Sequence, residues 1–128
     1  MYQLSKRKLV FGTALAMMVA LIVFVSFLPV GDKHVLHTRG RFHPLGHVLA
    51  FAAIGFVGAM TPKTFRYRLL SFLVLILFAL GIEIGEHLIF QIPMEWSDVL
   101  LDFLGVFSGL LLALLFSPYK SFSNQLSD

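Results

Sequence analysis

Six side chains with acid–base or ligating chemistry stand in apolar surroundings: His47, Glu83, Glu86, His87, Asp98 and Asp102. Carboxylates and imidazoles can bind cations, exchange protons or hydrogen-bond a polar ligand. A charged group inside a membrane segment costs several kcal/mol, about 2.5–3.5 at the helix centre on insertion scales. Such residues therefore face a bundle interior or a wet cleft, and a functional pocket is the default reading. Glu83 with His87, and Asp98 with Asp102, each lie one helical turn apart. His43 and His47 share that spacing, aligned with Ala50 and Ile54.

The elements that carry these residues follow from composition. The chain has 128 residues, 58% of them hydrophobic and 13% charged. One soluble domain of this length could not hide so much apolar surface, and stretches of about twenty apolar residues read as membrane spans. Four such segments are predicted: 9–28, 44–60, 69–90 and 97–116. The expected fold is all-α, a compact bundle of four transmembrane helices forming a single domain over 1–128. The first segment follows Lys6, Arg7 and Lys8 and is longer than a signal-peptide core, so it is expected to be a retained helix. Pro44 suits the first turn of the second helix, and Pro62, Pro93 and Pro118 punctuate the connections. The polar tail after 116 is expected to fray.

Orientation follows from the basic residues. Lys6, Arg7, Lys8, Lys63, Arg66, Arg68 and Lys120 fall on one side, and Lys33, Arg39 and Arg41 on the other. The excess predicts that both termini are cytoplasmic. No basic face rises from a soluble scaffold, so nucleic acid is not an expected partner; membrane lipids are. The absence of cysteine excludes disulfides and thiolate chemistry. Ser97 and Ser108 lack a nucleophile-elbow context.

In this topology the chemical residues meet near the outer surface. Glu83 is expected roughly 10 Å inside the end of its helix, and Asp102 about 6–8 Å inside its own. Together with His47 they predict an outward-opening polar pocket between the second, third and fourth helices. Glu86, His87 and Asp98 are expected nearer the surface, and Glu95 as a loop charge. Trp96 reads as an interface anchor. Arg39 and Arg41 are either solvated loop charges, receivers of an anionic headgroup or charges that balance the acids. Asp98, Asp102, Gly105 and Gly109 share one stripe, acidic outside and glycine-lined deeper down. Gly105 and Gly109, like Gly81 and Gly85, are expected to admit a close helix neighbour. The polar set offers nitrogen and oxygen ligands, but its spacing is read as matching no specific metal motif. No metal, no cofactor and no catalytic residue are therefore assigned.

These residues carry a resemblance. "HVLAF" (His47, Phe51), "EIGE" (Glu83, Glu86) and "DVLLDFLGVFSG" (Asp98, Asp102, Gly105, Gly109) resemble the VanZ-like family of bacterial integral membrane proteins. That family carries a His-x-x-x-aromatic helix start, a Glu-x-x-Gln helix end and an Asp-x-x-x-(Asn/Asp)-x-x-Gly-x-x-x-Gly helix. The likeness covers the chain from about His43 to the fourth helix. It departs where Glu86 replaces the glutamine, where "FHPLGH" replaces an Asp-Lys pair, and where "QIPMEW" lacks the arginine of Pro-x-Arg. The resemblance implies a multi-pass protein of the bacterial cytoplasmic membrane, linked to the cell envelope and to resistance against teicoplanin-type glycopeptides. The expected function is binding of a lipid headgroup, lipid-linked glycan or glycopeptide. An intramembrane acid/base or metal-assisted enzyme is the alternative. A proton-linked transporter ranks third, because the acids cluster on one side and no broken helix or inverted repeat is evident.

Overall fold

The computed structural model describes residues 2–29, 31, 41–62 and 64–116. Lys33, Arg39, Lys63, Pro118 and the polar tail, on which some expectations rest, lie outside the described residues. Four helices account for nearly all of this length: α1 Tyr2–Ser26, α2 His43–Met60, α3 Phe65–Phe90 and α4 Trp96–Phe116. Among the described residues there is no strand. Each of these four helices is long and apolar enough to cross a membrane. Helix length satisfies the backbone within each segment, which hydrocarbon requires. The protein is a multi-pass, all-α membrane bundle.

The predicted spans hold, with shifted ends. α1 begins well before Leu9, so Lys6 and Lys8 lie on its first turns. α3 begins at Phe65 rather than residue 69, which puts Arg66 and Arg68 on the helix. Pro44 follows directly on the first residue of α2, where its missing N–H leaves no bond unmade.

α2 is the central element: it packs on all three others, most extensively on α4. α2 and α4 run parallel in a fixed register. His43 meets Asp98 and His47 meets Asp102, each pair 55 residues apart in sequence. The reason is the absence of side chains. Cβ atoms built on Gly105 and Gly55 would stand 2.7 Å from the Val48 carbonyl oxygen and 2.5 Å from that of Val106. One on Gly109 would collide with the Ala52 carbonyl oxygen and the Phe56 amide. Backbone therefore lies on backbone, and dispersion between the closely approached surfaces holds the pair. α3 runs antiparallel to both. Ser71 of α3 donates to the Gly58 carbonyl of α2 at 3.2 Å, and Phe72 meets Phe103 and Phe107 edge to face.

The core is Phe51, Ile54, Leu75, Ala79 and Val106. α1 contributes only half-buried Leu15, Met18 and Ile22 to it. It touches α2 and, more lightly, α3. Large apolar side chains such as Leu9, Leu77, Leu100 and Leu115 are exposed around the outside, as a lipid-facing surface requires.

One expectation about packing is corrected. Gly81 is exposed, and a Cβ there would meet nothing within 4 Å. Gly81 and Glu83 are about 200° apart on the helix. Turning Glu83 inward therefore turns Gly81 outward. Gly85 does face a neighbour, but the neighbour is the Phe27 ring just after α1, 2.7 Å from a built Cβ, and not another helix backbone.

Candidate functional site

The parallel register of α2 and α4 stacks two histidines of one against two aspartates of the other. His43 Nε2 lies 3.0 Å from Asp98 Oδ2, and His47 Nδ1 lies 2.7 Å from Asp102 Oδ1. His47 Nε2 is also 3.7 Å from Asp98 Oδ2. The four residues thus form a ladder in which His47 touches both rungs. The two imidazoles meet edge to face, 4.5 Å between centroids, and His47 stacks on Phe51. Asp102 is wholly buried, and its Oδ2 has no hydrogen-bond partner among the described residues. With Asp102 as a carboxylate, its Oδ1 accepts the Nδ1–H of His47. That bond leaves the Nε2 lone pair of His47 directed to the other side of the ring.

α3 adds Glu83. One of its carboxylate oxygens lies within 4.8 Å of ligating atoms of both His47 and Asp102. The helix then stops where Gln91 adopts a left-handed conformation, φ 53°. Two bonds fix this stop. Gln91 Nε2 donates to the Leu88 carbonyl at 2.7 Å, and His87 Nδ1–H donates to the Ile92 carbonyl at 2.6 Å. The short loop 91–95 then delivers Asp98 into the first turn of α4, where the helix dipole favours an anion.

A cavity of about 610 Å³ opens beside this group. His43, His47, Glu83, Glu86, His87 and Asp98 line it. Leu21, Ile22 and Val25 of α1 and Leu45, Leu49 and Phe51 of α2 add apolar lining. Among the described residues no lysine or arginine lines it.

All six predicted site residues are therefore in one place, in different roles. Buried Glu83, Asp98 and Asp102 gather around half-buried His47. Glu86 lines the cavity. His87 lines it too, but its Nδ1 is committed to the loop backbone and its residue is exposed. Asp98, expected in the pocket nearer the surface, lines the cavity and is 6% exposed, as is Glu83, because His43 and the cavity walls cover the start of α4. Two expectations change. Glu95 is more than a loop charge, since it lines the cavity. The pocket is walled by all four helices and not by three. Trp96 is exposed and outside the cavity, as an anchor would be. Arg41 is exposed and does not line it. His43 belongs to the site although it was not among the predicted ligand residues. The signal for it was present: two histidines one turn apart on one helix face are a metal-ligand spacing.

No protein-family model matches the chain, and no curated protein or solved structure matches it at a significant level.

Proposed function

We propose that this chain is a VanZ-like protein of the bacterial cytoplasmic membrane, with both termini in the cytoplasm. Its cavity binds the headgroup of an amphiphilic envelope ligand: a lipid, a lipid-linked glycan or a lipidated glycopeptide. The observation that carries this reading is the split chemistry of the cavity. Apolar side chains of α1 and α2, among them Leu21, Val25, Leu45 and Leu49, share its lining with histidines and acids from α2, α3 and α4. An amphiphile matches both at once. Its chain leaves along Leu21 and Val25 toward lipid, while its polar end meets His47, Glu83 and Asp98. The basic residues at the opposite helix ends support an outward-facing cavity.

A second reading has its own observation. The buried Asp102–His47 pair, 2.7 Å apart, holds an imidazole whose other nitrogen faces Asp98. Such a ring can move a proton for an intramembrane acid/base enzyme.

One variant tests both. Glu83→Gln with Asp102→Asn keeps side-chain shape and removes two acids. In a strain where deletion lowers glycopeptide tolerance, it should behave like the deletion at unchanged membrane levels. Unchanged tolerance would defeat the binding site. Turnover of a lipid-linked glycan by the purified chain, lost in the variant, would move the conclusion to the enzyme.

A further inference from the structure

The acid-rich wall poses a problem for any anionic headgroup. Glu83, Glu86, Glu95 and Asp98 line the cavity, and among the described residues no lysine or arginine lines it. Asp102 behind them is wholly buried with one carboxylate oxygen unpartnered. A buried carboxylate oxygen without a partner is costly in a low-dielectric bundle. A bound dication would relieve that cost and also attract anionic oxygen.

The geometry points to a divalent metal site of the zinc class held by His43, His47 and Asp98, with its open coordination position facing the cavity. Donors around a tetrahedral zinc ion at ~2.0–2.1 Å stand roughly 3.3 Å apart. His43 Nε2 and His47 Nε2 lie 3.0 Å and 3.7 Å from Asp98 Oδ2. The three residues can bring one ligating atom each to within 4.8 Å of one another. The histidines share a helix face at the i, i+4 spacing, and the third donor comes from α4. Two imidazoles with a carboxylate and no thiolate suit zinc or a neighbouring first-row ion better than magnesium or calcium. The ion would take the place of the proton that His43 Nε2 and Asp98 now share.

The surroundings fit a metal ligand set. A metal-bound histidine almost always donates its other ring N–H to a carboxylate or carbonyl. His47 does so to Asp102 Oδ1 at 2.7 Å, and Asp102 does not line the cavity. Asp102 is thus a positioning residue. Glu83 lies in a second group with His47 and Asp102 and also reaches the cavity, where it stands beside the open position. The metal deepens the headgroup-binding reading by supplying the positive centre that an anionic oxygen of a phosphate or carboxylate would ligate. That extension rests on the reading above, whereas the metal site itself does not.

The experiment uses purified, metal-stripped full-length chain in detergent and Zn²⁺ alone. Calorimetry should show one ion per chain, and X-ray absorption should show only nitrogen and oxygen donors with imidazole scattering from two rings. His43→Asn, at a half-exposed position, and Asp98→Asn should each weaken binding at least tenfold. Asp102→Asn should weaken it 10- to 100-fold while preserving both imidazole ligands. Elution behaviour of each variant on size exclusion separates lost binding from lost fold. Absence of Zn²⁺ binding, binding unchanged by His43→Asn and Asp98→Asn, or a spectrum with fewer than two imidazoles would overturn the site. Nanodiscs of phosphatidylcholine with and without phosphatidylglycerol then test the headgroup step separately. Zn²⁺-dependent preference for the anionic lipid supports it. Equal binding to both membranes defeats the headgroup step and leaves the metal site standing.

Discussion

Gly109→Leu should strongly destabilise the bundle. At this position α4 lies against the backbone of α2, and a Cβ alone would collide with the Ala52 carbonyl oxygen and the Phe56 amide. No side-chain rotation can relieve that collision, because the obstacles are main-chain atoms of a continuous helix. The helices must separate, and separation removes the contacts of Gly105 and Gly55 as well. It also pulls His47 from Asp102, which share the same register. The expected loss is at or above the upper end of the ~1–3 kcal/mol that overpacking costs. Gly12→Leu is the matched control. It makes the same change of size on α1, where a Cβ meets nothing within 4 Å. Thermal midpoints from size exclusion in detergent should therefore fall steeply for Gly109→Leu and barely for Gly12→Leu. Equal midpoints would show that α2 and α4 are not in direct backbone contact.

His47→Leu should be strongly destabilising, and adding Asp102→Asn should recover much of the loss. The single change removes the partner of Asp102 Oδ1 from a carboxylate that is wholly buried and already lacks a partner at Oδ2. Breaking a buried charged pair from one side costs about 3–5 kcal/mol, because the remaining charge is uncompensated. Asparagine keeps the shape of Asp102 but carries no charge, so the double variant no longer buries one. The double variant should melt well above the single variant, and neither should bind Zn²⁺ with native affinity. A double variant as unstable as the single one would mean that His47 acts through packing on Phe51, its stacking neighbour, and not through Asp102.

Much of this arrangement was legible in the sequence. Twenty-residue apolar runs announce spans, and the stripe Asp98–Asp102–Gly105–Gly109 already separates an acidic outer part from a close-packed inner part. The structure assigns both parts to contact with α2. The paired acid-and-histidine logic also placed His47, Glu83 and Asp102 at one depth. Other features were not legible, for physical reasons. α1 is apolar on every side, so no stripe marks the face that closes the cavity. Gly81 and Gly85 look equivalent in the sequence. Only the inward turn of Glu83 decides that Gly81 faces out and Gly85 meets Phe27. Asp98 reads as a pocket acid nearer the surface, from its place at a helix start. Its burial depends on His43, which a register of 55 residues brings over it. Glu95 looks like a free loop charge until the His87–Ile92 bond and the Gln91 turn fold the loop over the cavity.

The central claim is that the cavity opens to the outer side of the membrane, where an envelope ligand can enter it. Single cysteines test it directly, because the chain has none of its own. Leu45 and Glu95 are exposed and line the cavity, whereas exposed Tyr67 sits at the opposite end of the bundle. In intact spheroplasts, a membrane-impermeant maleimide should label Leu45→Cys and Glu95→Cys, and should label Tyr67→Cys only after permeabilisation. Labelling of Tyr67→Cys from outside, with Leu45→Cys and Glu95→Cys reacting only after permeabilisation, would contradict the account.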